Sequence, residues 1–423
     1  MNIAFYTLGC KVNQYETQVM REAFQNKGHK TVPTSAPFDA LVINSCTVTA
    51  ESDRKTRQAL HRFRKNNPNS VIALTGCMVQ AFSEKSSALE GADIIMGNTD
   101  VLKVVSAVER FLQDGKKIFE VCEHARKEKF NTPSITKFDE RTRAYMKIQD
   151  GCDRFCTYCI IPTARGWLRS KPVSDIKKEA ENLAKNGFVE IVLVGINLTS
   201  YGKGEDINLC DAVDAVCAVD GIKRVRLGSL EPDHITDEML ARFKAQPKFC
   251  PQFHLSLQSG CDRTLLRMNR HYDTAFYCDL VARIRKIFPE SAITTDIMVG
   301  FAGETEEEFN ESLSFAKEIG FAKAHIFAYS RREGTVAYAL PNQVSNALKS
   351  ERSKKMIEAT LKTEKEFLDK FIGTKQNVLV ETETEGYTEN YCRVKIKSPR
   401  ATAGEIINVR IIGRDGDCLL GEE

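Results

Sequence analysis

No apolar run in these 423 residues approaches the ~18 that a membrane span requires. The opening stretch, from Asn2 to Leu8, carries no basic n-region of the kind that begins a secretory leader. A soluble, cytoplasmic chain with no membrane partner is therefore expected. A charge surplus is missing too: 60 Lys and Arg stand against 57 Asp and Glu, a formal net charge of +3, so any nucleic-acid signal has to be local. Internal repeats and low-complexity tracts are absent, which excludes solenoids and disordered arrays. The 14 cysteines follow no regular spacing, which in so long a cytosolic-looking chain points to metal binding or catalysis rather than a disulfide framework. With 42% hydrophobic residues there is ample material for buried cores, and the length suggests two or three domains.

Against that background one segment carries chemistry. Cys152, Cys156 and Cys159, in Gly-Cys-Asp-Arg-Phe-Cys-Thr-Tyr-Cys, place three thiols in a C-x3-C-x2-C spacing. A closed 4Fe-4S cluster takes four cysteine thiolates and a structural zinc four Cys or His ligands. Three leave a position open, and on a cluster an open iron can bind a substrate or cofactor. The competing readings are a zinc knuckle completed by a distant residue, although no second C-x2-4-C unit exists to pair with this one, and thiols that merely fill a core. The spacing resembles the radical S-adenosylmethionine (SAM) superfamily. That resemblance implies that the open iron chelates SAM and passes it one electron, cleaving it to a 5'-deoxyadenosyl radical.

The first hundred residues alternate short apolar runs (Ile3 to Leu8, Ala40 to Asn44, Val71 to Thr75, Ala92 to Met96) with amphipathic stretches, the pattern of a parallel α/β sheet. Asn13 to Glu16 reads as a capping box opening the first helix, and Gly28 as its stop. Cys10, Cys46 and Cys77 each follow a strand, 36 and 31 residues apart, about one βαβ unit of ~30 residues or more. Loops after successive parallel strands share the carboxyl edge, so these three thiols can converge on a second metal site; packing or a lone reactive thiol is the alternative. Residues 119–140 are charged and Pro-containing and read as a linker. A second α/β segment follows, with strands expected at Ala144 to Gln149, Glu190 to Val194, Arg224 to Leu227, Phe253 to Leu257, Ile293 to Val299 and His325 to Ala328. Six parallel strands suggest an incomplete β/α barrel with Cys152 to Cys159 at its carboxyl rim. A long amphipathic helix is expected over Asn346 to Phe371. Strands at Gln376 to Glu381, Tyr391 to Lys397 and Ile406 to Ile412 then suggest a small β-barrel.

Taken together, the chain resembles the radical SAM methylthiotransferases. Both cysteine trios carry the resemblance, with Ser256-Leu-Gln-Ser-Gly260, Gly300-Phe-Ala-Gly-Glu304 (Ala302 replacing the usual proline) and Tyr329-Ser-Arg-Arg-Glu-Gly-Thr335. It implies a parallel α/β amino-terminal domain over 1–118, a partial (β/α)6 radical SAM core over 141–370 and an all-β TRAM barrel over 371–423. It further implies two 4Fe-4S clusters, one on Cys10, Cys46 and Cys77 that holds or supplies sulfur and one on Cys152, Cys156 and Cys159 that binds SAM. SAM serves as both methyl donor and radical source, and an electron donor protein is an implied partner. Leu8 to Thr17 with Cys46-Thr-Val-Thr49 is most similar to the branch acting on C2 of N6-threonylcarbamoyladenosine beside a tRNA anticodon, with Lys11 and Val12 as the sorting residues. The branches modifying isopentenyladenosine or a ribosomal-protein aspartate remain alternatives, as does a non-catalytic RNA-binding protein with structural metal sites. Gly195, Ser256 and Asp296, at barrel-strand ends, are the candidate SAM contacts; a turn glycine and packed polar residues read equally well there.

Two features point to RNA without the resemblance. Arg54, Arg57 and Arg64 share a helix face with His61 by spacing, which suits phosphates and equally suits a solvated surface. Tyr391, Arg393, Lys395 and Lys397 alternate with Cys392, Val394 and Ile396, so a strand there exposes one aromatic-basic side. The remaining eight cysteines lack ligand spacing and are assigned no chemistry.

Overall fold

Ala40–Ser45 and Val71–Gly76 are buried at every position, as befits central strands of a parallel sheet covered on both faces. In the computed structural model, which describes residues 1–138, 142–397 and 401–423, these two strands pair in parallel at the middle of a six-stranded sheet. Asn2–Thr7 lies against the first and Ile94–Met96 against the second. The edges are Lys30–Val32 and Ile118–Glu120; a three-residue strand is too short for its periodicity to be read from sequence. Leu41, Ile43, Leu74 and Ile95 meet Phe63 and Met78 in one core, and each such side chain contributes about 1.5–3 kcal/mol when fully buried.

The first helix, Lys11–Asn26, has Cys10 at its N-cap with no side-chain capping bond, so the expected capping box does not form. Its two residues are engaged elsewhere. The Asn13 amide donates to the Leu8 and Ser45 carbonyls at 3.0 and 2.9 Å, and Glu16 is drawn into the buried ion pairs described below. Gly28 does end the helix region, at φ +81° with its N–H on the Gln25 carbonyl. The stretch read as a linker begins inside the edge strand Ile118–Glu120 and then runs tied to this sheet's helices. Tyr15 donates to the Pro133 carbonyl at 2.9 Å, Asn131 to that of Thr99 at 2.7 Å, and the Thr136 and Lys137 amides to Glu22. Its last residues, 139 and 140, lie outside the described residues, as do 141 and Pro399.

The chain divides into two compact units: Met1–Asp139, Lys147–Lys171 and Ser330–Tyr338 form one, and Glu140–Met146, Pro172–Tyr329 and Ala339–Glu423 the other. In the second, Ala144–Lys147, Glu190–Val194 and Arg224–Leu227 make one sheet, and Ser229–Leu230, Gln252–Leu255, Ala292–Val299 and Lys323–Ala328 another. The chain passes from one sheet to the other at Gly228, whose N–H donates to the Leu193 carbonyl at 2.8 Å. The helix Asn346–Asp369 ends two residues earlier than expected. Beyond it a closed barrel runs in the order Lys375–Val380, Glu385–Thr388, Arg393–Lys397, Cys418–Glu422, Ile406–Asp415. It has two strands more than periodicity suggests. Glu385–Thr388 has Gly386 in its middle and Cys418–Glu422 has Gly421, and glycine breaks the apolar alternation. Phe367, Leu368 and Phe371 pack into the barrel core with Val378, Val394, Val409 and Leu419.

Within the first unit, the segment 147–171 is anchored by buried charge. Arg165, on the short helix Ile161–Arg165, is wholly buried and grips Glu16 with both guanidinium nitrogens and the Asn13 Oδ1 at 2.8 Å. Lys147 adds a 2.7 Å bond to the same carboxylate and 2.5 Å to Asp150, and Arg169 reaches Asp150 at 3.2 Å. Burial alone raises Glu16 and Asp150; the cations outweigh it and hold both carboxyls below their usual range. Removing one partner of such a set leaves a buried charge unanswered, at a cost of about 3–5 kcal/mol. We expect Arg165→Met to lower the stability of the first unit by that order, measured as earlier amide hydrogen exchange across Lys11–Asn26 and Ala40–Ser45. Arg54→Ala, which loses only an exposed pair with Glu51, should leave the exchange unchanged.

Candidate functional site

Cys10, Cys46 and Cys77 stand at the carboxyl ends of three neighbouring parallel strands, Asn2–Thr7, Ala40–Ser45 and Val71–Gly76. Parallel pairing puts those ends on one edge. Asn13, one turn into the helix after Cys10, gathers them: its Oδ1 lies 3.7 Å from the Cys10 sulfur and 3.9 Å from that of Cys77. Gly9 closes the third side. At φ +107° it sits so near Cys46 that a Cβ there would stand 3.0 Å from the sulfur and 2.7 Å from the Cys46 Cβ, which is why the Gly-Cys pair opens the loop. Gly76 plays the same part for Cys77, at φ +100° against the Ser45 backbone.

Burial pushes the Cys77 thiol up to about 12; Cys10, Glu16 and Cys46 add to the rise, and Arg165 opposes it. The Cys46 thiol is raised as well, by burial and then by Cys10 against its hydrogen bonds. As bare thiols they hold their protons, and a metal that accepts sulfur is what would displace them. Arg165 Nε stands 3.1 Å from the Cys77 sulfur, and the nearby Glu16 carboxylate is taken up by Arg165 and Lys147. Three soft sulfurs, a cation and an amide fit a thiolate-ligated iron-sulfur group. Among the described residues no three His, Cys, Asp or Glu side chains stand close enough for a single metal ion. A cluster spreads its thiolates over separate irons and asks for a wider triangle.

Cys152, Cys156 and Cys159 are half-buried in a loop of the same unit. Gly151, at φ +73°, has the Trp167 carbonyl oxygen 1.8 Å from where a Cβ would be, and the Cys152 amide donates to the Gly166 carbonyl at 3.0 Å. The Cys159 amide closes a turn on the Cys156 carbonyl, and Ala337 donates its N–H to the Thr157 carbonyl at 2.7 Å. The helix bearing Arg165 begins two residues after Cys159, so a single short segment links this loop to Cys77. Sequence pattern offers Asn13 and Glu16 only as a capping box and does not single out Arg165. The usable signal is an arginine closing Ile161-Pro-Thr-Ala-Arg165, a cation in a stretch otherwise free of charge.

In the second unit Gly195 follows Glu190–Val194 directly, and Ser256 follows Gln252–Leu255. The Ser256 carbonyl accepts from the Tyr272 hydroxyl and from Arg270 at 3.3 Å. Asp296 lies within Ala292–Val299, half-buried, with its carboxylate 3.3 Å from His254 Nε2. His254 in turn bonds the Thr294 hydroxyl at 3.0 Å, and its ring is 6.0 Å from that of His325. The two histidines escape notice in the sequence because each reads as one polar residue on an alternating strand.

The basic candidates are dispersed. Arg54 pairs with Glu51, and Arg64 is fixed by Asp93 and by the Gly91, Pro68 and Ser70 carbonyls, its bonds to the carbonyls being 2.9–3.0 Å. Arg57 is exposed and lines a cavity of about 270 Å³ with Phe82, Arg331, Arg332 and Tyr338. In the barrel the strand begins at Arg393, not Tyr391, which has φ +66°. Tyr391 stacks on Tyr387 at 5.0 Å and is capped by Arg143 and Arg226, each 4.8 Å from its ring. Arg393 pairs with Glu385 at 2.6 Å and Lys397 with Glu422 at 3.6 Å. Lys395 and Lys397 do face out, and Cys392, Val394 and Ile396 are buried.

Comparison with known proteins fits this architecture. The Radical SAM superfamily model matches residues 146–316, and that of uncharacterized protein family UPF0004 matches residues 2–97. The threonylcarbamoyladenosine tRNA methylthiotransferase of Bacillus subtilis (strain 168) is 37% identical over 421 residues, covering 97% of this chain and 93% of that protein. Its counterpart from Aquifex aeolicus is 35% identical, covering 97% and 100%. A tRNA-2-methylthio-N(6)-dimethylallyladenosine synthase of Clostridium perfringens is 35% identical, covering 98% and 96%. The solved radical S-adenosylmethionine methyltransferase TsrM from Kitasatospora setae superposes with a TM-score of 0.59 at 11% identity, covering 79% of this chain and 76% of that one, a likeness of fold alone. Identity at this level along nearly the whole length places the chain in the radical SAM methylthiotransferase family.

Proposed function

We propose that this protein adds a methylthio group at C2 of N6-threonylcarbamoyladenosine, beside the anticodon of a tRNA, using SAM and two 4Fe-4S clusters. The observation that carries the reading is that both cysteine trios lie in one unit and are joined through Arg165, which follows Cys159 closely and touches Cys77. When bound, the clusters and SAM supply one-electron chemistry that activates an inert C–H bond, together with the sulfur and the methyl group.

The chain's own residues do the rest. Cys10, Cys46 and Cys77 hold the sulfur-delivering cluster, with Asn13 and Gly9 setting their spacing. Arg165 places a cation beside the Cys77 sulfur, which favours the anionic state of a thiolate ligand. Cys152, Cys156 and Cys159 hold the SAM-binding cluster. Gly195, Ser256 and Asp296 are assigned to SAM, with His254 orienting the Asp296 carboxylate from 3.3 Å. Arg57 and the outward Lys395 and Lys397 are the exposed side chains offered to phosphates; Arg64, Tyr391 and Arg393 contribute mainly by holding their surroundings in place, and Arg54 is engaged by Glu51 at the surface. The division of labour follows 1–118 for sulfur delivery, 141–370 for SAM chemistry and 371–423 for RNA, with 119–140 between the first two. An electron donor protein serves the enzyme in the cytoplasm. None of the described helices is long and apolar enough to cross a membrane.

Anaerobically reconstituted protein should bind roughly eight irons per chain. Replacing Cys10, Cys46 and Cys77 by alanine should halve the iron and stop methylthiolation while reductive cleavage of SAM persists; replacing Cys152, Cys156 and Cys159 should abolish that cleavage. Iron analysis and chromatography of SAM products read both. Stoichiometric zinc in place of iron would favour the structural-metal alternative. For the substrate, mass spectrometry of tRNA nucleosides from cells lacking the protein should show loss of the methylthio form of threonylcarbamoyladenosine. Loss of methylthio-isopentenyladenosine instead would assign the chain to the other tRNA branch.

A further inference from the structure

Most large apolar side chains of the first unit are buried, yet two aromatic rings stand in solvent beside the second cysteine trio. Phe155 is 53% exposed and Trp167, the chain's one tryptophan, 36%. They meet edge to face with ring centroids 5.9 Å apart, and the Arg126 guanidinium lies 5.0 Å over the Trp167 ring. The core makes little use of either ring, although burying a phenylalanine would contribute about 1.5–3 kcal/mol.

Their placement is specified by the backbone. Phe155 sits between Cys152 and Cys156 at φ 49°, in the left-handed region that a bulky residue enters only at a cost. Trp167 follows Gly166, at φ +67°, and its carbonyl is packed so closely on Gly151 that no side chain could replace that glycine's hydrogen. Two glycines and one strained residue thus hold two rings next to one cysteine loop. The exposed charge in the adjoining segment 121–130 is mostly positive, with one acid, Glu123, against three cations. Arg126, Lys127 and Lys129 are exposed. Of the nearby acids, Glu128 is engaged by His124 at 2.8 Å and by Arg169 at 3.3 Å.

Exposed rings with a stacked arginine and flanking lysines are the means by which proteins hold unpaired bases: every base offers a π-face, and the cations meet the backbone. A protein partner would call for a broader apolar patch with a hot-spot pocket. We infer that Phe155 and Trp167 form a stacking platform for an unpaired nucleobase of the RNA substrate, with Arg126 beside it. The inference rests on the RNA-modifying function proposed above and adds the residues that seat the loop next to the reacting centre.

Because Trp167 is the sole tryptophan, its emission reports directly on the platform. The test uses full-length reconstituted protein and an anticodon stem-loop RNA carrying N6-threonylcarbamoyladenosine, with affinity measured by anisotropy of labelled RNA. The RNA should change Trp167 emission. Trp167→Leu should weaken RNA binding roughly 5- to 150-fold, the range that loss of one stacked base brings, with iron content as in the parent, and Trp167→Phe should restore most of it. Phe155→Ala should act in the same direction; because it lies between two cysteines, it counts only where its iron content matches the parent. Equal RNA affinity in parent and Trp167→Leu, with unchanged emission, overturns the platform while leaving the function intact. So does a variant that binds RNA normally but loses affinity for a reduced flavin- or iron-sulfur-containing donor protein, which would assign the rings to a protein interface. A parent protein that binds no stem-loop at all overturns the functional reading itself and the platform with it.

Discussion

A guanidinium with no exposure to water has to be answered by negative charge, and the answer to Arg165 fixes how the first unit is put together. Its immediate surroundings hold the cations of Lys147 and Arg169 and the carboxylates of Glu16 and Asp150. Arg169 has a further carboxylate in Glu128, at 3.3 Å. A buried guanidinium also has to satisfy each of its donors, and Arg165 Nε is met by the sulfur of Cys77 at 3.1 Å. Burial works against the Arg165 cation, yet Cys77, Glu16 and Asp150 together hold it well above its ordinary range. The arrangement is therefore complementary to a sulfur centre that carries negative charge, as a thiolate-ligated cluster does. It also makes the position of the Cys152 loop dependent on the same cation, since the helix bearing Arg165 is its continuation.

That dependence explains which parts of the structure could be read from the chain. Strands such as Ala40–Ser45 and Val71–Gly76, and the cysteines that follow them, are legible because burial on both faces imposes an unbroken apolar run and parallel pairing imposes a common edge. Asn13 and Glu16 were legible as residue types but not in their role. Their spacing satisfies the local rule for a capping box, and the local rule loses to a tertiary one: two carbonyls for Asn13 and two buried cations for Glu16. A capping bond yields about 1 kcal/mol, and breaking a buried ion pair costs several times that. The stronger interaction decides where the side chains go. Nothing in a linear pattern ranks the two, because Lys147 and Arg165 lie 131 and 149 residues from Glu16.

The second unit repeats the lesson with arginines. Arg224 and Arg226 alternate on Arg224–Leu227 in the way that marks a solvent-facing side of a strand, yet their side chains are only 2% and 1% exposed. Both turn toward Glu190, which has no exposure and lies 2.9 Å from Arg226 and 3.7 Å from Arg224. Each also donates to carbonyls of the small barrel, Arg224 to Asn377 at 2.7 Å and Arg226 to Glu389 at 2.8 Å. Guanidinium is suited to this task because a planar fork can satisfy a carboxylate and backbone oxygens at once. Arg226, together with Arg143, caps Tyr391, which removes that ring from the face its sequence context suggests.

A barrel fixed in this way is braced against the strands it packs on. Were it joined to the strands only through the end of helix Asn346–Asp369, contacts at Lys395 and Lys397 would orient the barrel and little else. With Arg143, Arg224 and Arg226 bridging Glu190 to the barrel's backbone and to Tyr391, the strands Glu190–Val194 and Arg224–Leu227 share a rigid frame with it. Gly195 lies at the end of one of those strands. Ion pairs and carbonyl bonds thus tie the barrel directly to the strand that ends before Gly195. Charged side chains buried for architecture in this unit, and for complementarity to sulfur in the other, take up arginines that a count of basic residues would assign to RNA. A count of 60 Lys and Arg therefore overstates the cations that this surface offers.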